Sequence, residues 1–226
     1  MLTKIQKDLI IGTLLGEGNL QTNTGQTWRY RAIHKAIHYQ YIQQKFLILK
    51  DFCSSDLLFS EIKDPRTDKT YKRYIFNTIY TDCFRFYGQR FYKKKGDIWK
   101  KQIPKDIKKY LTPRALAYWY MDDGALKWKG KSNAVRFCTD SFTKDEVELL
   151  GEALEINFNL KISFQKKNDV IRISTSEDSY DTLKSLVIEH LVPCMYYKFP
   201  DGNKGILNDE DISNDIINTF DKRFST

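Results

Sequence analysis

Three acidic side chains stand at the C-terminal ends of apolar segments that are long enough to form helices. Glu17 follows residues 5–15, and Asp122 and Asp123 follow residues 113–121, with a glycine directly after each group. The C-terminal end of a helix is partly negative and disfavours a carboxylate by ~0.3–1 kcal/mol. Each acid therefore needs a cationic partner, unless it is simply solvated and the glycine only caps its helix.

The two halves of the chain repeat one order of predicted elements at an offset of about 106 residues. Apolar residues recur at helical spacing in some segments and alternate with polar ones in others. Thr143, with Glu146 three residues later, is a capping-box signal. The predicted elements are helix 5–15, hairpin and strand 19–31, helix 38–52, strands 57–62 and 71–79 and helix 82–93, then helix 113–121, strands 125–128 and 134–138, helix 143–156, strands 160–165 and 170–174 and helix 178–190.

This repeat brings the acids together if the halves pack around a pseudo-two-fold axis through the first helix of each half. Small residues at Gly12, Gly16, Ala115 and Ala117 allow those helices to approach closely. Neighbouring carboxylates repel each other, and a divalent cation such as Mg²⁺, which prefers carboxylate and carbonyl oxygens, removes that cost. The pattern therefore predicts a metal site built by both halves.

The charge balance points to a polyanionic partner. The chain has 37 basic and 29 acidic residues, a formal net charge of +8. Residues 207–226 contain five acids and two bases, so residues 1–206 carry +11. A folded body with this excess favours nucleic acid as the partner. A lysine-rich composition that merely reflects AT-rich coding would give the same excess, so charge alone leaves both explanations open.

Other features argue against several classes of protein. No run of 18 apolar residues occurs, which predicts a soluble protein without a membrane partner. The four cysteines are far apart and form no CxxC pair, which argues against a zinc cluster or a disulfide framework and for a reducing compartment. His34 and His38 have a spacing that can bind zinc, but no further ligands lie nearby, so an ordinary structural or surface role is favoured.

Two nine-residue segments carry a family resemblance. IIGTLLGEG (residues 10–18) and LAYWYMDDG (residues 116–124) resemble the two motifs of the LAGLIDADG homing endonucleases. LTPRALAYWYMDDGALKW, followed by TDSFTKDEVELL, is similar to the single-chain enzymes encoded in mitochondrial and other group I introns. The resemblance covers the chain except its acidic tail. The sequence departs from the motif at Glu17, the last acid of the first copy, and at Tyr118, where a small residue is usual.

The resemblance implies an α+β fold of two pseudo-symmetric αββαββα halves. The LAGLIDADG helices would form the interface, and two curved antiparallel sheets would form a DNA-binding saddle. The expected N-terminal half is residues 1–94, the connector 95–111, the C-terminal half 112–200 and the acidic tail 201–226. The expected molecule is a monomer located in an organelle, the mitochondrion if the gene lies in an organelle intron.

The resemblance also implies hydrolysis of both strands of a long double-stranded DNA site, leaving short 3′ overhangs. Glu17 and Asp123 would be the essential ligands of Mg²⁺, helped by the backbone carbonyls of Gly16 and Asp122. Glu17, as the longer acid, is expected to change the metal geometry and the rate. Mn²⁺ is expected to substitute for Mg²⁺, and Ca²⁺ to bind without supporting efficient cleavage.

The family places a basic residue beside each scissile phosphate, and two lysines are candidates here. Lys101 and Lys198 follow Glu17 and Asp123 by 84 and 75 residues, and each shortly precedes a proline near the end of its half. We expect them to stabilise the charge that develops on the phosphate or to orient the water network. Lys100 is the neighbour most easily confused with Lys101, and a plain surface role is the alternative for each lysine.

DNA contacts are expected from the strands, since Arg, Lys, Asn and Gln read base edges in the major groove. The candidates in the first half are Asn19, Gln21, Asn23, Gln26, Arg29, Arg31, Arg66, Lys69, Lys72 and Arg73. Those in the second half are Lys127, Lys129, Lys131, Asn133, Arg136, Lys161, Gln165, Lys166, Lys167, Asn168 and Arg172.

Two other interpretations stay open. Related intron-encoded proteins act as maturases that bind group I intron RNA, and a catalytically decayed relative would bind DNA without cutting it. Both acids and both lysines are present, which favours the nuclease.

Overall fold

A computed structural model describes residues 1–128, 130–167 and 170–200. Lys129, Asn168, the side chain of Lys167 and the expected acidic tail at 201–226 lie outside the described part of the chain. Within that part, the chain forms two copies of the order αββαββα, so the predicted α+β fold of two similar halves is confirmed.

The first half contains three helices and four strands. They are α1 (Lys4–Leu15), β1 (Asn19–Gln21), β2 (Arg29–Lys35), α2 (Tyr39–Ile48), β3 (Leu58–Lys63), β4 (Thr70–Asn77) and α3 (Arg85–Phe91). A hairpin of β5 (Tyr92–Lys95) and β6 (Ile98–Lys101) follows. This hairpin was not predicted, and it straddles the expected boundary between the first half and the connector at residue 94, which remains a prediction.

The second half repeats the pattern. Its elements are α4 (Pro113–Asp123), β7 (Gly124–Trp128), β8 (Ser132–Phe137), α5 (Lys144–Phe158), β9 (Ile162–Lys167), β10 (Val170–Thr175) and α6 (Tyr180–Val187). A six-residue 3₁₀ segment, Pro193–Lys198, ends the described elements. None of the described helices combines the length and the apolar character needed to cross a membrane.

Both halves build the same four-stranded antiparallel sheet. The strand order is β1-β2-β4-β3 in the first sheet and β7-β8-β10-β9 in the second. One face of each sheet packs on helices, because alternate side chains such as Tyr30 and Phe76, or Val135 and Phe137, are buried in the core.

Local sequence signals set the helix starts. The Thr3 hydroxyl accepts a hydrogen bond from the Gln6 amide, and the Gln6 side chain bonds back to Thr3, which completes a capping box. Thr143 and Glu146 form the predicted capping box of α5. Such caps each contribute ~1 kcal/mol to helix stability.

The first helix of each half, α1 and α4, packs closely at the interface between the halves. A Cβ added at Gly12 would lie 2.2 Å from the Ala115 carbonyl oxygen and 2.6 Å from Tyr118 Cβ. A Cβ added at Gly16 would lie 2.4 Å from Asp122 Cβ. Gly12 therefore makes room for Tyr118, the bulky residue at a motif position where a small one is usual.

Candidate active site and nucleic-acid interface

The α1–α4 packing brings Glu17 and Asp123 to one place at the ends of these helices. Glu17 follows the C-cap Gly16, and its side chain is about half exposed, at 53%. Asp123 is the last residue of α4. Burial, followed by the charges of Asp122 and Glu17, raises the pKa of Asp123 to about 7. Burial and the Asp122 charge also raise the pKa of Glu17. The acids form one negative cluster that favours a cation.

Lys101 reaches the first acid from β6. Its Nζ donates hydrogen bonds to the carbonyl oxygens of Gly16 at 3.0 Å and Gly18 at 2.8 Å, the residues on either side of Glu17. Burial lowers the pKa of Lys101 to about 8, while the nearby carboxylates oppose the shift. The lysine therefore places a cation beside the first acid.

Lys198 makes the equivalent contacts in the second half. Its Nζ donates to the carbonyl oxygens of Asp122 at 3.3 Å and Gly124 at 2.8 Å, on either side of Asp123, and also to Tyr120 at 3.2 Å. Burial lowers the pKa of Lys198 as well. The two lysines are thus related by the same pseudo-symmetry as the two acids.

The donor set at the helix ends fits a divalent metal. Carboxylates from Glu17 and Asp123 and carbonyl oxygens from Gly16 and Asp122 are hard, oxygen-only ligands of the kind that Mg²⁺ takes. Both carbonyls already accept hydrogen bonds from a lysine ammonium, so cationic charge is favoured there. The residues expected to hold the metal therefore meet the chemical requirement.

Asp122 differs from its neighbour, because its carboxylate is bound by hydrogen-bond donors of the protein. It is fully buried, and its Oδ1 accepts hydrogen bonds from Tyr41 and Lys45, both at 2.8 Å. Its Oδ2 accepts from the backbone amide of Glu17 at 3.1 Å. Burial alone would raise the pKa of Asp122, but Lys45 and the hydrogen bonds lower it. This placement supports the prediction that Asp122 offers the metal its carbonyl oxygen.

Sequence reasoning missed the role of Lys45 and Tyr41. Lys45 occupies a position on the apolar stripe of α2 and is fully buried. A lysine at a core position is a signal for a buried ion pair, because an unpaired buried ammonium is costly. This signal could have identified Lys45 as the partner of an acid.

The two histidines predicted to have ordinary roles lie beside this site. His34 is buried, and burial together with Lys45 lowers its pKa to about 3. His38 stacks on Tyr197, with ring centroids 5.9 Å apart. Glu17, His34 and Asp122 place potential ligand atoms within 4.8 Å of one another, but His34 Nε2 contacts the Lys45 ammonium at 2.9 Å. That contact disfavours His34 as a metal ligand.

The open face of the first sheet carries basic and amide side chains alongside apolar ones. Strand pairing matches Arg31 with Asn19 on one side and with Asn77 on the other, and matches Lys35 with Arg73. Because side chains alternate along a strand, these residues share the face opposite the core. The predicted DNA contacts on this face are Asn19, Gln21, Arg29, Arg31 and Arg73.

Several polar atoms on this open face have no protein partner. Arg31 Nε, Arg73 Nε and Asn77 Oδ1 are buried and make no hydrogen bond within the described part of the chain. Buried polar groups are normally paired, so unsatisfied groups need an explanation. Two donors and an acceptor on one basic face are suited to base edges and phosphates.

The second sheet also carries polar side chains on the face opposite its core. Arg172 pairs with Gln165, and Ser174 pairs with Arg136, so their side chains share the face opposite Ile173 and Phe137. Arg172 Nε donates to Asp140 Oδ1 at 2.6 Å. This face carries the predicted contacts Arg136, Gln165 and Arg172.

The remaining candidates lie elsewhere. Lys72 faces away from Arg73 and lies 3.8 Å from Glu61, while Asn133 and Lys166 lie on the core-facing side of the second sheet. Lys127 is at the β7 bulge, and Lys161, just before β9, pairs with Asp178 at 2.8 Å. The loops and turns carry Asn23, Gln26, Arg66, Lys69 and Lys131.

Comparisons with known proteins agree with this geometry. A sequence model described as the LAGLIDADG DNA endonuclease family matches residues 7–183. The chain is 43% identical over 216 residues to DNA endonuclease I-ChuI of Chlamydomonas applanata, covering 91% of this chain and 99% of that protein. It is 30% identical over 200 residues to cytochrome b mRNA maturase bI2 of Saccharomyces cerevisiae, covering 84% of this chain and 46% of the maturase.

A solved structure shows the same architecture. The homing endonuclease I-WcaI bound to its DNA recognition sequence matches with a TM-score of 0.80 and 28% identity, covering 88% of this chain and 87% of that one. The family match extends over most of the chain and includes both motif acids. On this sequence, fold and site geometry, the chain belongs to the LAGLIDADG DNA endonuclease family.

Proposed function

We propose that this chain is a site-specific double-strand DNA endonuclease of the intron-homing type, which hydrolyses phosphodiester bonds with a divalent metal and leaves 3′ overhangs. One observation carries the proposal. Each motif acid is flanked by carbonyl oxygens that accept hydrogen bonds from a lysine in the segment that follows the last helix of the same half. Two matching acid–lysine sets suit the two strands of a duplex.

The metal would be held by Glu17 and Asp123, with the carbonyl oxygens of Gly16 and Asp122. When bound, it would polarise the scissile phosphates, lower the pKa of an attacking water and neutralise the departing 3′ oxygen. Mg²⁺ is the proposed ion, with Mn²⁺ as a substitute and Ca²⁺ as an ion that supports binding but not efficient cleavage.

The lysines supply fixed positive charge next to the reacting groups. In hydrolysis, the water oxygen forms a bond to phosphorus and the bond from phosphorus to O3′ breaks, so negative charge develops on the phosphate oxygens. Lys101 Nζ and Lys198 Nζ lie within hydrogen-bond distance of the residues that flank the acids, where they can stabilise that charge. Their burial keeps the ammonium groups poorly solvated and therefore effective.

The open faces of the two sheets would bind the duplex. The unsatisfied Arg31 Nε and Arg73 Nε lie on the first of these faces, and the net charge of +8 favours a polyanion. A monomer is proposed because one chain supplies both acids and both lysines. The organellar location remains a prediction from the family resemblance.

A plasmid assay tests the proposal. A supercoiled plasmid that carries the uninterrupted insertion sequence of the host intron should become linear with Mg²⁺ and stay intact with EDTA. Asp123→Asn should slow cleavage at least 100-fold and retain duplex binding in Ca²⁺. Asp97→Asn, an exposed site in the β5–β6 turn, is the charge-matched control and should cut like the wild type.

The maturase interpretation is the second candidate, because one relative named as an mRNA maturase is 30% identical. The same preparation should be tested for binding to the host intron RNA. Intact plasmid together with tight, specific intron RNA binding would favour the maturase and contradict the endonuclease. Unchanged cutting by Asp123→Asn would contradict the assignment of the metal ligands.

A further inference from the structure

A buried polar cluster lies behind Glu17 and outside the acid–lysine sets. Its members are Lys45, His34, Tyr41 and the side chain of Asp122. The Lys45 ammonium is fully buried, 2.8 Å from Asp122 Oδ1 and 2.9 Å from His34 Nε2. It also lies 4.0 Å from the centre of the Tyr41 ring. A buried ammonium with this many partners holds them in fixed orientations.

The ammonium determines which nitrogen of His34 carries hydrogen. An ammonium group only donates hydrogen bonds, so His34 Nε2 must accept, and the hydrogen of the neutral ring must sit on Nδ1. His34 Nδ1 lies 3.4 Å from Glu17 Oε2. The imidazole therefore turns its N–H side toward the carboxylate of Glu17.

The side chain of Asp122 binds the main chain of Glu17. Its Oδ2 accepts the backbone amide of Glu17 at 3.1 Å, while Lys45 and Tyr41 bind its Oδ1. The cluster thus contacts Glu17 at both its main chain and its side chain. Partners of this kind orient the groups that bind a metal and commonly change affinity or rate when removed.

In the described residues of the second half, no pair is equivalent to Lys45–Asp122. Counted from the first residues of α2 and α5, Lys45 corresponds to Leu150, which is fully buried and apolar. The residue before the acid is Asp122 in the second motif and Gly16 in the first. The Asp122 side chain occupies the space that a side chain at position 16 would need.

The position that matches His34 is also different. Arg31 and Arg136 are equivalent, since each pairs with the residue two positions after its motif acid. Three residues farther on lie His34 and Thr139. The Thr139 hydroxyl donates to the Ile171 carbonyl oxygen at 2.6 Å, so it is committed to its own sheet. Among the described residues, the hydrogen-bond and ion-pair contacts of this cluster therefore reach Glu17 and not Asp123.

We propose that Lys45 and His34 are positioning residues for Glu17 alone, so that they control cleavage of one DNA strand more than the other. This inference rests on the proposed endonuclease function. It assigns a role to Lys45 and His34, which belong to neither of the two acid–lysine sets.

Strand-resolved kinetics tests the inference. The substrate is a duplex of the insertion sequence labelled differently on each strand, and the variants are Lys45→Met and His34→Leu. We expect cleavage of one strand to slow 10- to 100-fold, with nicked duplex accumulating, while the other strand is cut at nearly the wild-type rate. Leu150→Met, the matched change in the second half, should leave the ratio of the two rates unchanged.

Two further variants separate positioning from stability. Lys45→Met leaves the Asp122 carboxylate buried without its cation, which destabilises the fold, so the neutral double variant Lys45→Met/Asp122→Asn is measured as well. His34→Asn keeps an N–H donor near the place of Nδ1 and should recover part of the rate that His34→Leu loses. Equal slowing of both strands, or no slowing in any variant, would overturn the inference.

The tautomer gives a readout that does not depend on cleavage. The chain has three histidines, so long-range ¹H–¹⁵N NMR of the metal-free protein can resolve each imidazole. His34 should carry its hydrogen on Nδ1, and Lys45→Met should shift it toward Nε2. Finding Nε2–H in the wild type would reject the positioning geometry. A wild type that cuts no DNA would instead reject the proposed function, whatever the NMR result.

Discussion

At the scale of single residues, the lysines at the helix ends are the sharpest test of the chemistry. Lys198 Nζ binds three carbonyl oxygens around Asp123, the nearest at 2.8 Å. We expect Lys198→Met to slow cleavage ~100- to 1,000-fold, the loss typical of one preorganised donor. Duplex binding in Ca²⁺ should change little, because one contact among many is lost. Single-turnover cleavage and a binding assay on the same duplex measure the two effects.

Two neighbouring lysines in the first half, Lys101 and Lys100, allow a matched test of the same role. Lys101→Met should slow cleavage like Lys198→Met, whereas Lys100→Met should not, since Lys100 is exposed and lies on the other side of β6. Both changes remove one charge from neighbouring positions. Equal losses from both would show that overall charge, rather than placed charge, explains the effect.

The sequence predicts those site residues that are marked by their neighbours along the chain, but not pairs that meet only in the folded protein. Glu17 and Asp123 could be predicted because a glycine and an apolar helix mark each one locally. The Lys45–Asp122 pair joins residues 77 positions apart, and no local pattern names the partner of a buried cation. Its only trace was a lysine at a core-facing position of α2.

At the scale of elements, the α1–α4 interface determines whether the two acids meet. Gly12→Ala places a Cβ 2.2 Å from the Ala115 carbonyl oxygen, so the helices must move apart. We expect this change to lower the free energy of unfolding by ~1–3 kcal/mol, as overpacking does. Urea unfolding measures it.

A control substitution on the same helix shows whether the change in the free energy of unfolding at Gly12 comes from packing. Alanine normally stabilises an exposed helix position relative to glycine by ~1 kcal/mol, so a loss at Gly12 must come from packing. Lys7→Ala, at an exposed position of α1, should change stability by less than ~0.5 kcal/mol. A Gly12→Ala variant as stable as the wild type would refute the close-packed interface.

Substitutions on the two faces of β4 are expected to affect DNA binding to different extents. Arg73 lies on the open face with an unsatisfied Nε, while Lys72 faces the other way beside Glu61. Arg73→Ala should weaken binding to the specific duplex by ~1–3 kcal/mol, the range for one base contact. Lys72→Ala should weaken it by much less. Equilibrium titrations at one fixed salt concentration compare the two, and equal losses would contradict the assignment of the faces.

Most of the fold followed from periodicity and turn signals, because each half repeats them. The β5–β6 hairpin did not, since Lys93, Lys94 and Lys95 form a polar run without the alternation that indicates a half-buried strand. Residues 92–95 pair with residues 98–101, and the position of this hairpin depends on contacts such as the hydrogen bond that Tyr92 Oη donates to Asn19 at 2.9 Å. Those tertiary contacts also place Lys101, so the hairpin matters for the site.

At the scale of the whole molecule, two similar halves have unequal surroundings for their acids. The pseudo-symmetry supplies each acid with a lysine and a sheet. The buried cluster around Lys45 breaks that symmetry on the side of Glu17. A repeated fold can therefore present two equivalent sheets and still surround its two acids differently.

An ion held by the acids at the interface would couple metal binding to the stability of the whole molecule. Glu17 and Asp123 come from different halves, so an ion held by both binds only the folded chain. Such a ligand stabilises the fold by ~2.7 kcal/mol at a concentration 100 times its Kd.

We therefore expect Ca²⁺ to raise the Tm of the DNA-free protein at pH 8. Asp123→Asn should raise the Tm in EDTA, because it removes a repelling charge, and should abolish most of the rise with Ca²⁺. Asp97→Asn should respond to Ca²⁺ like the wild type, and a full rise in Asp123→Asn would place the ion elsewhere.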